Sequence, residues 1–488
     1  MISRLAFEVI FTHDLHSHFD NLPKIASKIK ALRQQRVQNK EPYLIVDIGD
    51  HLDRAHYITE GSSGLANVAL LNELHYDYVT IGNNEGITLD YAQLSQLYQD
   101  AHFKVVVNNL FDQDGKRPDW CIPFDVTTLN GIKVGIVGTT VNFTRFYEQL
   151  GWKVSDPFQA VADSVALLRE QVDFILLLSH LGLPRDQEMA QRVPGIDLIL
   201  GSHTHHFLPE GLKVGNTWIH QVGKHGQYLG RVQVYRDRNN TFTCTPYVEE
   251  VKEEEPDQET LTTLGVWAKK AENHLSQPVA VLDEDLPISW DEETVLGNLL
   301  AEAVSDWCNT PIALVNTGLI LDSLSQGTIT LKDVHHICPH PINACRLTLT
   351  GEEILSILNR SLQPSMLQFH IKGLGFRGKR IGMMALNGLK VYYEETKDQT
   401  RQVVYVETPE GPLKENGTYR VATVDMFTFG PIFPELYGKK DTEYFLPDFL
   451  RDLLIRRFKQ GELYKAAQNR WVKRPSFGTK EDNKDEVC

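Results

Sequence analysis

Five short apolar runs in the first half of the chain each stop at a cluster of Asp, Asn or His, and this pattern constrains the fold more than any other feature. Leu5–Phe11 leads into Thr12-His13-Asp14-Leu15-His16, and Tyr43–Ile48 into Gly49-Asp50-His51-Leu52-Asp53-Arg54. Tyr78–Ile81 leads into Gly82-Asn83-Asn84-Glu85, Phe174–Leu178 into Ser179-His180, and Ile196–Leu200 into Gly201-Ser202-His203-Thr204-His205. Runs of this length, rich in Val, Ile and Leu, read as buried strands, as does Ile132–Val137. Amphipathic stretches of helical length, Leu22–Arg36, Gly64–Leu74 and Phe158–Glu170, lie between several of them. The alternation predicts an α/β layered domain with helices covering the sheet. In open α/β sheets a ligand site forms at the carboxyl ends of the strands, so five strands are expected to deliver these side chains to one edge.

Any one such cluster is ordinary turn or capping chemistry; five at strand exits in one half-chain point to a shared site. The residue types fit one chemistry. Borderline divalent metals accept imidazole nitrogen and carboxylate oxygen, and no thiolate accompanies these clusters, which disfavours a structural zinc site. Two ions some 3.5–4 Å apart need a bridging carboxylate, and such a pair clamps an in-line displacement at phosphorus. Asp50 is the natural bridge.

A chain of 488 residues exceeds one ordinary hydrophobic core, so two domains are expected. The second is marked by a composition shift: Val248–Thr260 (VEEVKEEEPDQET) is acidic, and Leu261–Leu275 returns to helical periodicity. The expected boundaries are 1–250 for the metal-bearing domain, 251–277 for a solvated linker with its connecting helix, 278–475 for the second domain and 476–488 for a polar tail. The second domain carries helix signals at Glu293–Trp307 and Gly351–Leu362, and strand signals at Ile312–Val315, Leu347–Leu349, Leu389–Tyr393 and Gln402–Val406. Lys+Arg 49 against Asp+Glu 64 gives a net charge of −15. That excess argues against a nucleic-acid polymer or an anionic membrane as partner. Small anionic substrates remain open, because a bound dication reverses the local sign of the field. Met1–Phe11 reads as a first strand and not as a signal peptide, since Arg4 and Glu8 interrupt it. No stretch approaches the roughly 20 apolar residues of a membrane span, and the six cysteines are scattered without a C-x-x-C pair. The cytoplasm is the expected compartment.

The order D-x-H, G-D-x-x-D-R, G-N-x-E, S-H-x-G and G-x-H-T-H resembles that of the calcineurin-like metallophosphoesterases. With the linker helix and second domain, the whole chain resembles their bacterial 5′-nucleotidase/UDP-sugar hydrolase branch. The second-domain likeness rests on Leu296–Val304, Gly327–Val334 and Leu347–Leu358. The resemblance implies a four-layered α/β/β/α sandwich followed by an α+β domain. It places Asp14, His16, Asp50 and His205 on a first metal, and Asp50, Asn83, His180 and His203 on a second. Zn, Mn, Co and Fe all suit these ligands. The implied reaction is attack of a hydroxide, bridging the two ions, on a nucleoside 5′-monophosphate or a UDP-sugar. Alternatives are a 2′,3′-cyclic-nucleotide or other phosphodiesterase, and a metal-retaining nucleotide sensor without hydrolysis.

One departure matters. The third position of the family's G-N-H-[DE] is Asn84 here. An amide still donates a hydrogen bond to a phosphoryl oxygen, but it is no acid near pH 7, and losing proton transfer costs on the order of 10²–10⁴ in rate. Asn84, Asp50 and His51 are the expected catalytic residues, with His13, His18 and His206 as further substitutes for the missing histidine. Replacing Asn84 by His is expected to raise turnover of monophosphates. In the second domain the resemblance implies that two aromatic rings clamp a nucleoside beside an N-x-G-G-I-R motif, which appears here as Asn316-Thr317-Gly318-Leu319-Ile320 without its arginine. Asn316, Gly318, Phe376, Arg377 and Phe429 are the expected substrate contacts, with Phe376 and Phe429 as the clamp and Arg346, Arg377 or Arg380 replacing the arginine. Relatives rotate the second domain about the linker, which makes Val248–Leu275 a candidate hinge.

Overall fold

A computed structural model describes residues 4–395, 400–461, 463 and 469–474; the expected polar tail, 476–488, lies outside the described residues. The chain divides into two compact units, the first ending at Leu275 and the second starting at Ser276.

The first unit stacks two six-stranded sheets. In one, the order is Phe242–Glu250, Tyr228–Arg236, Arg4–Thr12, Tyr43–Asp47, Tyr78–Val79 and Lys104–Val105, with the last four strands parallel. In the other it is Leu212–Val214, Thr217–His220, Leu198–Gly201, Phe174–His180, Ile132–Thr140 and Phe124–Leu129, with the middle four parallel. Alternate residues of the two inner faces, among them Phe7, Val9, Phe11, Val46, Ile136, Leu176, Leu178 and Leu200, form one shared core. Phe7 meets Phe174 edge-on there, with ring centroids 5.4 Å apart. Helices Pro157–Leu168 and Leu183–Arg192 cover the outer face of the second sheet through Phe158, Val161, Val165 and Met189. Helix Leu22–Asn39 buries Leu22, Ile25, Ala26 and Ile29, a stripe at helical spacing. The result is the expected helix–sheet–sheet–helix layering. The strands of the two parallel blocks end at the same rim, where the polar clusters lie.

The acidic segment is not loose. Val248–Glu250 completes an edge strand, and residues 252–257 are fastened to helix Leu22–Asn39. Lys24 Nζ donates to the Lys252 carbonyl at 2.7 Å, Ser27 Oγ to the Glu255 carbonyl at 2.7 Å, and Lys30 Nζ to Asp257 at 2.5 Å. Helix Gln258–Leu275 then packs on helix Tyr57–Ser62 so closely that a Cβ on Gly61 would come within 2.7 Å of the Ala271 Cβ. The stretch expected to act as a hinge is therefore part of the first unit's packed surface.

The second unit carries a five-stranded sheet in the order Met384–Asn387, Ile312–Asn316, Thr418–Val424, Asn343–Thr350 and Glu443–Phe449. Helices Val295–Trp307, Gly351–Ser361 and Leu450–Gln460 bury Leu299, Leu300, Ile354, Ile357, Leu453 and Leu454 in its core. Thr350 and Thr294 are helix N-caps, each hydroxyl accepting from a first-turn N–H. No helix among the described residues is long and apolar enough to cross a membrane.

Candidate metal centre

Asp14 lies two residues beyond strand Arg4–Thr12 in a left-handed conformation, φ 48°. Its Oδ2 is saturated by protein donors: His13 Nδ1 at 2.7 Å, Ser202 Oγ at 2.8 Å and the His203 N–H at 3.0 Å. His13 accepts the Val222 N–H through Nε2 at 2.8 Å, which puts its proton on Nδ1, pointing at Asp14. With Oδ2 so occupied, Oδ1 faces His205 Nε2 at 3.6 Å and His16 Nε2 at 3.8 Å. Those two imidazole nitrogens are 3.2 Å apart.

Asp50 is also left-handed, φ 50°. Its Oδ1 accepts the Asn84 N–H at 2.8 Å, while Oδ2 lies 3.8 Å from His16 Nε2 and 3.5 Å from His180 Nε2. One carboxylate oxygen thus faces both imidazoles. His180 donates from Nδ1 to the Ile48 carbonyl at 2.7 Å, leaving Nε2 buried without a hydrogen-bond partner. The buried Asn83 Oδ1 also lacks one. Ligand atoms of Asp14, His16 and His205 lie within 4.8 Å of one another, and so do those of Asp50, His180 and His203. Glycine is required at Gly82, where a Cβ would stand 2.1 Å from Asp50 Oδ1 and 2.5 Å from His180 Cε1.

Glu85 ties the two central loops together. Its Oε2 accepts the Asp50 and Gly82 N–H groups at 2.9 and 2.8 Å, and its Oε1 accepts that of Leu52 at 3.0 Å. Burial and the Asp50 charge push Glu85 up to about 7 against those hydrogen bonds. At the centre itself, burial acts against the charge of Asp14, yet hydrogen bonds from His13 and His205 hold its pKa well below the usual carboxylate range. Burial also opposes the charge of His180, but Asp50 outweighs it and raises the imidazole to about 10. Burial, with His180 nearby, pushes His203 down to about 4. The pocket therefore holds ionised carboxylates that attract positive charge, beside a neutral imidazole able to ligate. Asn83 Oδ1, a buried acceptor with no partner, and the N/O donor set both fit divalent cations, and a cation there would take the place of the proton that Asp50 draws onto His180.

Asn84 reaches this centre, but its amide is engaged: the side chain meets His16 Nδ1 at 2.9 Å. It orients a candidate ligand, and because a primary amide carries two N–H donors and an oxygen this one contact is compatible with a further hydrogen bond to a phosphoryl group. His51 is a correction to the expected catalytic set. Its neighbour Asp50 turns toward the imidazoles, and His51 turns the other way, its Nδ1 3.3 Å from Asn67 Nδ2. Its ring lines an internal cavity of about 10 Å³ with Leu52, Val68, Leu71 and Leu97, where burial pushes its pKa down to about 3. His206 pairs with Thr204 Oγ1 at 2.8 Å. His18 stacks on His225, with centroids 3.7 Å apart. His225 did not emerge from the sequence, because the strand before it, Thr217–His220, has four residues and little apolar signal. Its Gly223-Lys224-His225-Gly226 stretch is nonetheless one more glycine-flanked exit ending in histidine.

In the second unit, Asn316 is buried, its Nδ2 donating to the Ile381 carbonyl at 3.0 Å while its Oδ1 has no partner. The segment 373–382 packs over it, and a Cβ on Gly318 would come within 2.0 Å of the Arg380 carbonyl. Phe376 is 5% exposed and stacks on the buried His340, centroids 5.4 Å apart. It is a core ring with no face to offer a base, a correction to the expected clamp. The Arg377 N–H donates to His340 Nδ1 at 2.9 Å. Phe429, by contrast, is 43% exposed and lies along Tyr444. Arg380 forms a forked ion pair with Asp291, and Arg346 is held by Glu443 and the Cys308 carbonyl.

Comparison with known proteins agrees with this geometry. Residues 7–207 match the calcineurin-like phosphoesterase model, and residues 275–430 the 5′-nucleotidase C-terminal domain. The uncharacterized metallophosphoesterase YunD of Bacillus subtilis is 42% identical over 453 residues, spanning 92% of this chain and 98% of its own. The trifunctional nucleotide phosphoesterase protein YfkN of the same organism is 26% identical across 89% of this chain, which spans 33% of YfkN. Among solved structures, the NAD nucleotidase of Haemophilus influenzae shares the fold at 15% identity, with a TM-score of 0.66 and coverage of 96% of this chain and 97% of that one.

Proposed function

The chain belongs to the calcineurin-like phosphoesterases that carry a 5′-nucleotidase C-terminal domain, a family of metal-dependent phosphoester hydrolases, and on that premise we propose that it uses two divalent ions to release phosphate from nucleoside 5′-monophosphates or to cleave UDP-sugars. The observation that carries the proposal is the position of Asp50 Oδ2, 3.8 Å from His16 Nε2 and 3.5 Å from His180 Nε2. A carboxylate oxygen shared by two imidazole-bearing groups is what a bridging ligand requires.

Asp14, His16, Asp50 and His205 would hold one ion, and Asp50, Asn83, His180 and His203 the other. When bound, such a pair supplies Lewis acidity to phosphoryl oxygens and lowers the pKa of water toward neutrality. The chain's own residues do the rest. His13 and Ser202 fix the Asp14 carboxylate so that Oδ1 points inward. The Asn84 side chain fixes the His16 ring, leaving Nε2 free to ligate when the amide oxygen accepts from Nδ1–H, and the Ile48 carbonyl fixes that of His180. Second-sphere partners of this kind set tautomer and aim. In the second unit, Phe429, 43% exposed, would be the ring for a base, and stacking of this type contributes about 1–3 kcal/mol. The nucleotide class is supported by the likeness to YfkN, a nucleotide phosphoesterase by name.

The test is phosphate release from nucleoside monophosphates, UDP-sugars and 2′,3′-cyclic nucleotides with Mn, Co and Zn, comparing wild type with Asp50→Asn. Turnover of one substrate class, lost in the variant, is expected. Equal trace activity in both proteins would replace this reading with that of a non-hydrolytic sensor, and preference for cyclic nucleotides would move it to a phosphodiesterase.

A further inference from the structure

His225 stands at the metal centre without being one of its ligand groups. Its ring meets that of His16 edge-on, centroids 5.8 Å apart, and carries the exposed His18 on its face. Among the described residues its nitrogens belong to neither of the two convergent Asp/His groups. The backbone around it is pinned to the loop that bears Asp14. The His225 N–H donates to the Asp14 carbonyl at 2.8 Å, and Asn21 Nδ2 donates to the His225 carbonyl at 2.8 Å.

Its backbone conformation is one that the candidate ligands also adopt. His225 has φ 61°, although glycines stand two residues before it and directly after it. Non-glycine residues in this region cost free energy and cluster where function requires a side chain at a fixed place. In the first unit the candidate ligands Asp14, His16, Asp50, His203 and His205 share it, with φ between 47° and 73°, as do Ser17 and turn or helix-end residues such as Lys40, Ser63 and Asn130. His225 is therefore built into the centre in the same way as the ligands, yet half-buried beside His16 and joined to the open side through His18. Meanwhile Asn84, at the motif position where the family carries an imidazole, brings only an amide, which meets His16 Nδ1 at 2.9 Å.

We propose that His225 is a catalytic residue whose imidazole N–H donates a hydrogen bond to a phosphoryl oxygen of the bound substrate, with His18 stacked behind it to hold the ring. The assignment deepens the proposed hydrolase reading and rests on it. It requires only the donor that a neutral imidazole possesses. Such a donor aimed at developing phosphoryl charge is the kind of group whose removal costs about 10²–10³ in kcat.

The experiment compares wild type, His225→Leu and His225→Gln as full chains loaded with Mn. The measurements are metal content, thermal midpoint, kcat and KM on the best substrate of the panel, and the affinity for inorganic phosphate by calorimetry. His225→Leu is expected to keep its metal and midpoint, to lose about 10²-fold in kcat and to bind phosphate roughly three- to tenfold more weakly. His225→Gln, which keeps an N–H donor, is expected to recover part of both losses. Unchanged kcat and phosphate affinity in His225→Leu would overturn the assignment. So would a fall in metal content that accounts for the whole loss, because the ring would then be a ligand or a prop. A wild type that binds phosphate but turns over nothing would overturn the hydrolase reading instead, and the calorimetric arm would still decide the role of His225.

Discussion

Asp50 and its immediate partners show how single atoms divide labour at the centre. One oxygen of each aspartate is filled by protein donors and the other is left facing imidazoles. Asn84 is the residue where this division tells most, because its amide aims His16. Asn84→Ala is expected to weaken metal retention about 10–100-fold, measured by competition with a chelator; unchanged affinity would remove the orienting role. A second prediction concerns Asp425, buried in the second unit. Burial pushes it up to about 7 against backbone hydrogen bonds from Asn343 and Met426, whereas an unfolded aspartate titrates near 3.8. Its contribution to stability is complete below 3.8 and is lost as pH rises through about 7. Asp425→Asn is therefore expected to gain stability relative to wild type between pH 6 and 8, read from denaturant midpoints at several pH values.

At the scale of elements, the strand exits were legible because burial on both faces writes a parallel strand as an uninterrupted apolar run. Tyr43–Asp47 and Phe174–His180 follow that rule, Arg4–Thr12 follows it only from Val9 to Phe11, and the clusters after them converge. Strands near the sheet margins were less legible. Tyr228–Arg236 and Phe242–Glu250 alternate polar with apolar residues, and Thr217–His220 is too short to announce itself, so His225 after it passed unseen. Side-chain direction was the other loss: no periodicity tells that His51 turns inward while adjacent Asp50 turns toward the imidazoles. The acidic stretch misled for a related reason, since charge suggests a solvated linker even where Lys24, Ser27 and Lys30 fasten it down. The close approach of Gly61 and Ala271 makes that docking testable. Gly61→Leu is expected to cost about 1–3 kcal/mol by overpacking, seen as a lower thermal midpoint with metal content unchanged.

For the whole molecule, each unit has its own hydrophobic core, and all the candidate metal ligands fall in the first. Ions that bind only the folded first unit stabilise that unit by mass action and leave the second untouched. Calorimetric scans with and without chelator are thus expected to show one transition moving down and one standing still. A single transition shifting as a whole would mean that the units unfold together. The centre itself is tested most directly by crystals of the Mn-loaded chain and anomalous diffraction at the Mn edge. Two peaks are expected, about 3.5–4 Å apart, one among Asp14, His16 and His205 and one among Asp50, Asn83, His180 and His203, with Asp50 touching both. Peaks elsewhere, or one peak that Asp50 does not reach, would contradict the account.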